Sequence, residues 1–293
     1  DVYAIELSQA GQLTLSFQTA ERDSTSWIYE IYDSQSNLLG QDECAYSSDY
    51  CQDGVTLSVG ISSPGTHYIR VRSGASYSSP TGQYTLSVSF SSDTNGIELE
   101  PNDTASTAQS ISLSESITGS ISNYEDYDVY AIELSQAGQL TLSFQTAERD
   151  STSWIYEIYD SQSNLLGQDE CAYSSDYCQD GVTLSVGISS PGTHYIRVRS
   201  GASYSSPTGQ YTLSVSFSSD TNGIELEPND TASTAQSISL SESITGSISN
   251  YEDYDVYAIE LSQAGQLTLS FQTAERDSTS WIYEIYDSQS NLL

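Results

Sequence analysis

The chain has 293 residues, 40 acids against seven arginines and no lysine, and a formal charge of −33. So acidic a chain is repelled by nucleic acid, whose binding proteins carry clustered positive charge, and no run approaches the ~20 apolar residues of a membrane span. Apolar residues make up 37% and recur in short regular runs, which excludes a disordered chain.

The predicted elements are strands. Residues 2–7 (VYAIEL) are apolar and β-branched, and Gly11 then leads into Leu13, Leu15 and Phe17, alternating with Thr14 and Ser16. Residues 27–32 (WIYEIY) follow and end in the turn cluster Asp33-Ser34-Gln35-Ser36-Asn37, after which Leu38-Leu39 opens another strand. Val55, Leu57, Val59 and Ile61 alternate with Thr56, Ser58 and Gly60. Pro64-Gly65 turns the chain into His67, Ile69 and Val71, with Tyr68, Arg70 and Arg72 on the other face. Tyr84, Leu86, Val88 and Phe90 alternate with Thr85, Ser87 and Ser89, and residues 117–121 form a further short strand. Period 2 dominates and no long helical pattern occurs. About eight short strands separated by turns predict an all-β fold, an antiparallel β-sandwich.

Asp1-Val2-Tyr3-Ala4-Ile5-Glu6-Leu7 returns at 128–134 and at 255–261, a 127-residue period without a single substitution. That is too long for a solenoid unit of about 20–50 residues and is the size of an independent domain. Two full periods and 39 further residues make up the chain, and each period carries a net charge of −14. Identical copies suit a property that scales with copy number, such as length, reach or avidity. The polar, turn-prone stretches 91–96 and 218–223 read as linkers. They predict a complete domain at 97–219, a domain at 1–92 lacking its N-terminal segment, and a domain at 224–293 lacking its C-terminal part: a window onto a longer tandem array. There is no basic and apolar leader pattern, so no signal peptide is read at residue 1.

Several motifs carry a resemblance. They are Glu98-Leu99-Glu100-Pro101-Asn102-Asp103-Thr104, Ala105-Ser106-Thr107-Ala108-Gln109-Ser110-Ile111, Ile117-Thr118-Gly119-Ser120-Ile121 and Asp126-Tyr127-Asp128-Val129-Tyr130. Gly192-Thr193-His194-Tyr195-Ile196-Arg197-Val198 and Gly209-Gln210-Tyr211-Thr212-Leu213 follow in the same order. The unit resembles, over essentially its whole length, the bacterial pre-peptidase C-terminal domain, a family that includes the collagen-binding domains of clostridial collagenases. The resemblance implies a secreted jelly-roll β-sandwich that is itself non-catalytic and is appended to enzymes or surface proteins.

Glu98, Glu100, Asn102 and Asp103 lie within six residues, and Asp126 and Asp128 follow. Two such clusters meeting at one end of a sandwich repel each other unless a cation lies between them. Ca²⁺ takes six to eight oxygen ligands of these types, whereas Mg²⁺ gives up its waters reluctantly. The resemblance implies calcium on Glu98, Glu100, Asn102 and Asp103 with one or two of Glu125, Asp126 and Asp128. The next copy offers Glu225, Glu227, Asn229, Asp230, Asp253 and Asp255. The competing reading is a solvated acidic loop. Asn102-Asp103-Thr104 and its copy at Asn229 are also glycosylation sequons, a role that competes with a metal-facing amide.

Cys44 with Cys51, and Cys171 with Cys178, give an even count per repeat and predict a local disulfide clasp in a secreted protein. Their spacing is not that of a zinc site, and each full repeat has a single histidine. His67, beside Ile69 and Val71, reads as a packed strand residue. No nucleophile elbow, phosphate-binding loop or dinucleotide fingerprint is present. Trp27, Tyr29 and Tyr32 share one strand, with core packing expected for Trp27, while Tyr46, Tyr50, Tyr77, Tyr124 and Tyr127 fall in loops or at strand ends, where aromatics also serve binding.

The expectation is a non-enzyme, extracellular or on the surface of a bacterial cell: a structural segment of a long repeat protein (fibre, stalk or adhesin shaft) stabilised by calcium. Its partners are neighbouring copies of itself in an array or filament. The alternatives are a module binding polysaccharide or matrix protein by avidity, and an appendage of a secreted protease. The acidity also fits adaptation to salt.

Overall fold

Segments that alternate apolar and polar residues pair into sheets, because only pairing satisfies their backbone while burying one face. In the computed structural model, which describes residues 1–19, 26–44, 51–74, 82–146, 153–171, 178–201, 209–273 and 280–293, the first repeat, residues 1–96, forms seven strands. These are β1 (Val2–Leu7), β2 (Gly11–Thr19), β3 (Trp27–Tyr32), β4 (Leu38–Cys44), β5 (Val55–Ile61), β6 (Gly65–Ser73) and β7 (Tyr84–Ser91). They make two antiparallel sheets, in the orders β1-β6-β3-β4 and β5-β2-β7.

The second repeat, residues 97–223, adds two strands to the same plan. Its elements are β8 (Gln109–Ser110), β9 (Ser116–Ile121), β10 (Tyr127–Leu134), β11 (Gly138–Thr146), β12 (Trp154–Tyr159), β13 (Leu165–Cys171), β14 (Val182–Ile188), β15 (Gly192–Ser200) and β16 (Gly209–Ser218). The sheets are β13-β12-β15-β10-β8 and β14-β11-β16-β9. Every pairing in them is antiparallel except β8 against β10. β8 and β9 each close one sheet edge, and the effect is large. Val129, Tyr130 and Val215 are 5%, 0% and 2% exposed, while their first-period counterparts Val2, Tyr3 and Val88 are 64%, 44% and 40% exposed. The two-residue β8 is polar and too short to show an alternation, so sequence reading passes over it.

The core lies between the sheets. Leu140, Leu142, Phe144, Leu213 and Val215 face Ile132, Tyr156, Ile158, Ile196 and Val198. Phe144 stacks on Tyr156 at 5.2 Å and is flanked by Trp154 and Tyr211 at 5.6 and 5.3 Å. His194 and His67 are buried strand residues, each with Nδ1 3.1 Å from a glycine carbonyl. Both disulfides are formed, with Cα–Cα distances of 5.4 and 5.5 Å. Each ties a strand end to a single 3₁₀ turn, Cys51–Asp53 or Cys178–Asp180. Tyr46, Tyr50 and Tyr77 lie outside the described residues.

The two outer faces differ. On the β14-β11-β16-β9 sheet the alternation turns Thr141, Ser143, Thr183, Ser185, Thr212 and Ser214 outward, and Thr141 Oγ1 lies 2.9 Å from Ser185 Oγ. On the other sheet Glu157 is buried beneath Arg197 and Arg199, at 2.6 and 3.0 Å. Arg197 also lies over the rings of Tyr159 and Tyr127, 4.9 and 5.6 Å from their centroids.

The chain divides into two compact units, Asp1–Ala258 and Ile259–Leu293. In the first unit the third repeat, from residue 224, contributes β17 (Gln236–Ser237) parallel to β18 (Tyr257–Ala258). The second unit has the antiparallel bridge Tyr286–Leu292 and contacts of Phe271 with Trp281 and Tyr283, and no longer ladder among its described residues. The reason lies in the pairing. β1 and β3 both pair with β6, and residues 255–293 repeat 1–39, so the 293 residues hold no third copy of β6.

Candidate metal centre

The segment that leads each domain builds the site. Ile97 bridges to Thr118 of β9, and the Glu98 amide donates to the Thr118 carbonyl at 3.0 Å. Successive side chains of an extended segment point to opposite sides, so Glu98 and Glu100 turn the same way, toward Asp128 on β10. The Val129 amide donates to the Asn102 carbonyl at 3.1 Å, which brings Asn102 to the same place.

Glu98, Glu100 and Asp128 are buried, and each offers a carboxylate oxygen within 4.8 Å of the others. Asn102, 0% exposed, donates its side-chain amide to Glu98 Oε1 at 3.0 Å, and its backbone amide donates to Glu100 Oε2 at 3.0 Å. The Ser120 amide donates to Glu98 Oε2 at 2.8 Å. Asp126 is also buried and accepts from the Ser122 amide at 2.5 Å. Asp103 is exposed and accepts from the Tyr127 amide at 3.4 Å, so it sits at the rim. The third repeat builds the same group from Glu225, Glu227 and Asp255, with Asn229 buried, Asp253 half-buried and Asp230 exposed.

The cluster is short of positive charge. Tyr211 donates to Asp128 Oδ2 at 2.5 Å, Tyr130 donates to Glu98 Oε1 at 3.1 Å, and the two hydroxyl oxygens are 2.6 Å apart. The Tyr211 hydroxyl also lies 3.3 Å from Glu98 Oε1; a hydroxyl has one proton, so two protons serve four contacts. Asn102 Oδ1 and Asp128 Oδ1 have no partner although buried, and the same holds for Glu227 Oε1 and Asp255 Oδ1. The salt bridges of the described residues all go to Glu30 or Glu157, and none reaches the cluster.

The electrostatics follow. Burial pushes the Glu98 carboxyl up. Burial, then the charges of Glu98, Asp126 and Asp103, holds Glu100 well above the usual carboxylate range. Burial, then the charges of Glu98, Asp126 and Glu100, does the same to Asp128. Burial also pushes Asp126 up to about 7, and in the third repeat Glu227 to about 8 and Asp255 to about 9. Buried acids without a cation escape their repulsion only by taking protons. An oxygen-only set of carboxylates and one amide, with orphaned oxygens among them, has the donor chemistry of a hard divalent cation and not of zinc or copper.

The Asn102 amide is buried and bonded to Glu98, and the Asn229 amide is bonded to Glu225 at 3.0 Å, so both side-chain nitrogens are engaged in the folded chain. Sequence reading missed three residues that line or support the site. Tyr130 stands on β10 two residues from Asp128, Tyr211 comes from β16, and Gly119 leaves the space that their hydroxyls occupy, since a Cβ there would fall 2.5 Å from Tyr211 Oη. The paired Arg197 and Arg199 opposite a lone Glu157 in an apolar strand were a legible signal for the buried ion triad.

A scan against protein-family models finds no match, and a search of curated proteins finds none. Among solved structures the chain is similar to the pre-peptidase C-terminal domain of a collagenase from Bacillus anthracis. Identity is 21% over 40% of this chain and 99% of that one, with a TM-score of 0.30. It is also similar to tandem carbohydrate-binding modules of a family 98 glycoside hydrolase from Streptococcus pneumoniae. There identity is 9% over 75% of this chain and 81% of that one, with a TM-score of 0.27. Likeness at this level adds nothing to the strand pairings above, which carry the fold by themselves.

Proposed function

We propose that the chain is a non-catalytic structural segment of a long extracellular tandem-repeat surface protein, a fibre, stalk or adhesin shaft. Calcium would stabilise its domains at Glu98, Glu100, Asn102, Asp126 and Asp128, with Asp103 at the rim, and at the corresponding third-repeat residues. The observation that carries the calcium reading is the buried Glu98–Glu100–Asp128 group with its unpartnered Asp128 and Asn102 oxygens. Identical repeats and disulfides, which persist in oxidising compartments, support the extracellular structural reading. Each domain is taken to begin at its leading acidic segment, which places 97–219 as one whole unit.

Calorimetric titration of the purified chain with calcium, and thermal melting with and without a chelator, test this reading. Binding of about one ion per acidic cluster, together with a lower melting point in chelator, is the expected result. No bound ion and an unchanged melt would remove calcium from the proposal.

A second reading, attachment to polysaccharide or matrix protein by avidity, draws on Tyr124 and Tyr251, exposed at 61% and 88%. One repeat and two repeats probed on immobilised glycans and matrix proteins separate it from the first. A structural segment gives no signal at either valency.

A further inference from the structure

We infer that each cation site is held in shape by the repeat that precedes it, so that calcium binding and the docking of neighbouring repeats are one linked equilibrium. This rests on the calcium reading above and adds a partner to the site: the end of the upstream repeat's β5 or β14.

The leading segment is an extended strip whose backbone meets two partners. Its first part is held by its own domain, through the bridge of Ile97 to Thr118 and through the Gln109 side chain, which bonds the Leu99 amide and the Ile97 carbonyl. Its last residue before Pro101, Glu100, pairs with the repeat upstream. The Glu100 amide donates to the Gly60 carbonyl at 2.8 Å, and the Ser62 amide and hydroxyl donate to the Glu100 carbonyl at 3.0 and 2.7 Å. The Glu98 carbonyl lies so close to Gly60 that a Cβ there would fall far inside contact distance. A second tie runs from Gln41 Nε2 to the Ser122 carbonyl at 3.2 Å, and the Ser122 amide is the one that donates to Asp126.

The next joint repeats this plan. Glu227 donates to Gly187 at 2.8 Å, Ser189 donates to Glu227 at 3.0 Å, and Gln168 reaches the Ser249 carbonyl at 3.4 Å. Two of the residues whose side chains form the cation site, Glu98 and Glu100 in one joint, are therefore also the residues whose backbone meets the upstream repeat. A strip held at both its own domain and Gly60 presents Glu98 and Glu100 together toward Asp128. A strip released from Gly60 keeps only its own-domain contacts at 97–99, and its Glu100 end must be ordered when the ion binds. Linkage is reciprocal: whatever docking adds to calcium affinity, calcium adds to docking. A domain with no repeat docked upstream then binds calcium more weakly, and calcium stiffens the array joint by joint.

Gly60→Ala in the full chain tests this. The three atoms nearest a Cβ at Gly60 all belong to Glu98 and Leu99 of the next repeat. The substitution therefore blocks the joint and alters no ligand side chain. Calorimetric calcium titration is read beside small-angle scattering with and without calcium. The expected result is a fall in affinity of the second-repeat site of about fivefold or more, the lower end of typical coupling, and scattering that no longer tightens with calcium at that joint. Gln41→Ala, which cuts a tie without inserting an atom, should shift affinity the same way by less, and serves if Gly60→Ala fails to fold. Asp128→Asn should loosen the scattering of the calcium-treated chain.

Wild-type chain that binds no calcium overturns both this inference and the calcium reading. Wild-type chain that binds calcium, with Gly60→Ala and Gln41→Ala binding it equally well, overturns the linkage alone.

Discussion

Tyr211 donates its hydroxyl to Asp128 Oδ2 at 2.5 Å, while Asp128 Oδ1, equally buried, accepts from nothing. One oxygen of a single carboxylate is satisfied by the far strand β16, and the other faces the acid cluster. Tyr211→Phe removes the donor and leaves a second orphaned oxygen. A buried acceptor without a partner costs about 1–3 kcal/mol, and chemical denaturation of the second domain should show a loss of that size.

Asp128→Asn should act with opposite signs in the two calcium states. Without calcium it replaces a buried carboxyl, which burial and the charges of Glu98, Asp126 and Glu100 push toward its protonated form, with an amide that has no charge to bury, and the melting point rises. With calcium the wild type gains about 2.7 kcal/mol per site at a hundredfold excess over the dissociation constant, and the variant gains little. Crossing melting curves in chelator and in calcium are the expected signature. Parallel curves would show that Asp128 does not face the ion.

The Glu157 triad sets an acid limb. Burial alone raises the Glu157 carboxyl, but hydrogen bonds and charge from Arg197 and Arg199 outweigh it and hold the group below its ordinary value of 4.5. A depressed carboxyl contributes stability that is complete above the unfolded value and is lost as pH falls through the folded one. Urea midpoints of the wild type should therefore fall between pH 5 and about pH 3, and Glu157→Gln should flatten that part of the slope. At neutral pH the same variant is less stable, because two arginines lose their shared counter-charge.

Replacing Cys171 and Cys178 together by serine should cost on the order of 2 kcal/mol, since the bridge closes a short loop. Calcium affinity should not change, because the clasp and the cluster share no contact among the described residues. A loss of calcium binding in the double variant would join two features that the structure keeps apart.

Much of this architecture was legible in the chain itself. Alternation at Val55–Ile61 and Trp27–Tyr32 marked strands whose bounds the structure reproduces, because a half-buried strand must repeat every second residue. The 127-residue identity marked the tandem unit, and the cysteine spacing marked the clasp. Glu98, Glu100, Asn102, Asp126 and Asp128 were marked as acids and an amide near a domain start. Local pattern records which face a residue takes, and nothing about the strand that will lie opposite.

What only the tertiary structure decided depends on contacts far apart in sequence. Tyr211 lies 83 residues from the Asp128 it serves, and Glu157 lies 40 from Arg197. The division between buried Asp126 and exposed Asp103 follows from the close approach of Asn102 to β10, which no alternation encodes. The joints are the clearest case. Residues 91–96 read as a linker between independent domains, but the strip that follows pairs through the Glu100 backbone with Gly60 and Ser62 of the repeat before. Backbone amides and carbonyls are the same at every residue, so composition cannot show which edge they will meet. A glycine at position 60, small enough to admit that edge, is the one trace the joint leaves in the sequence.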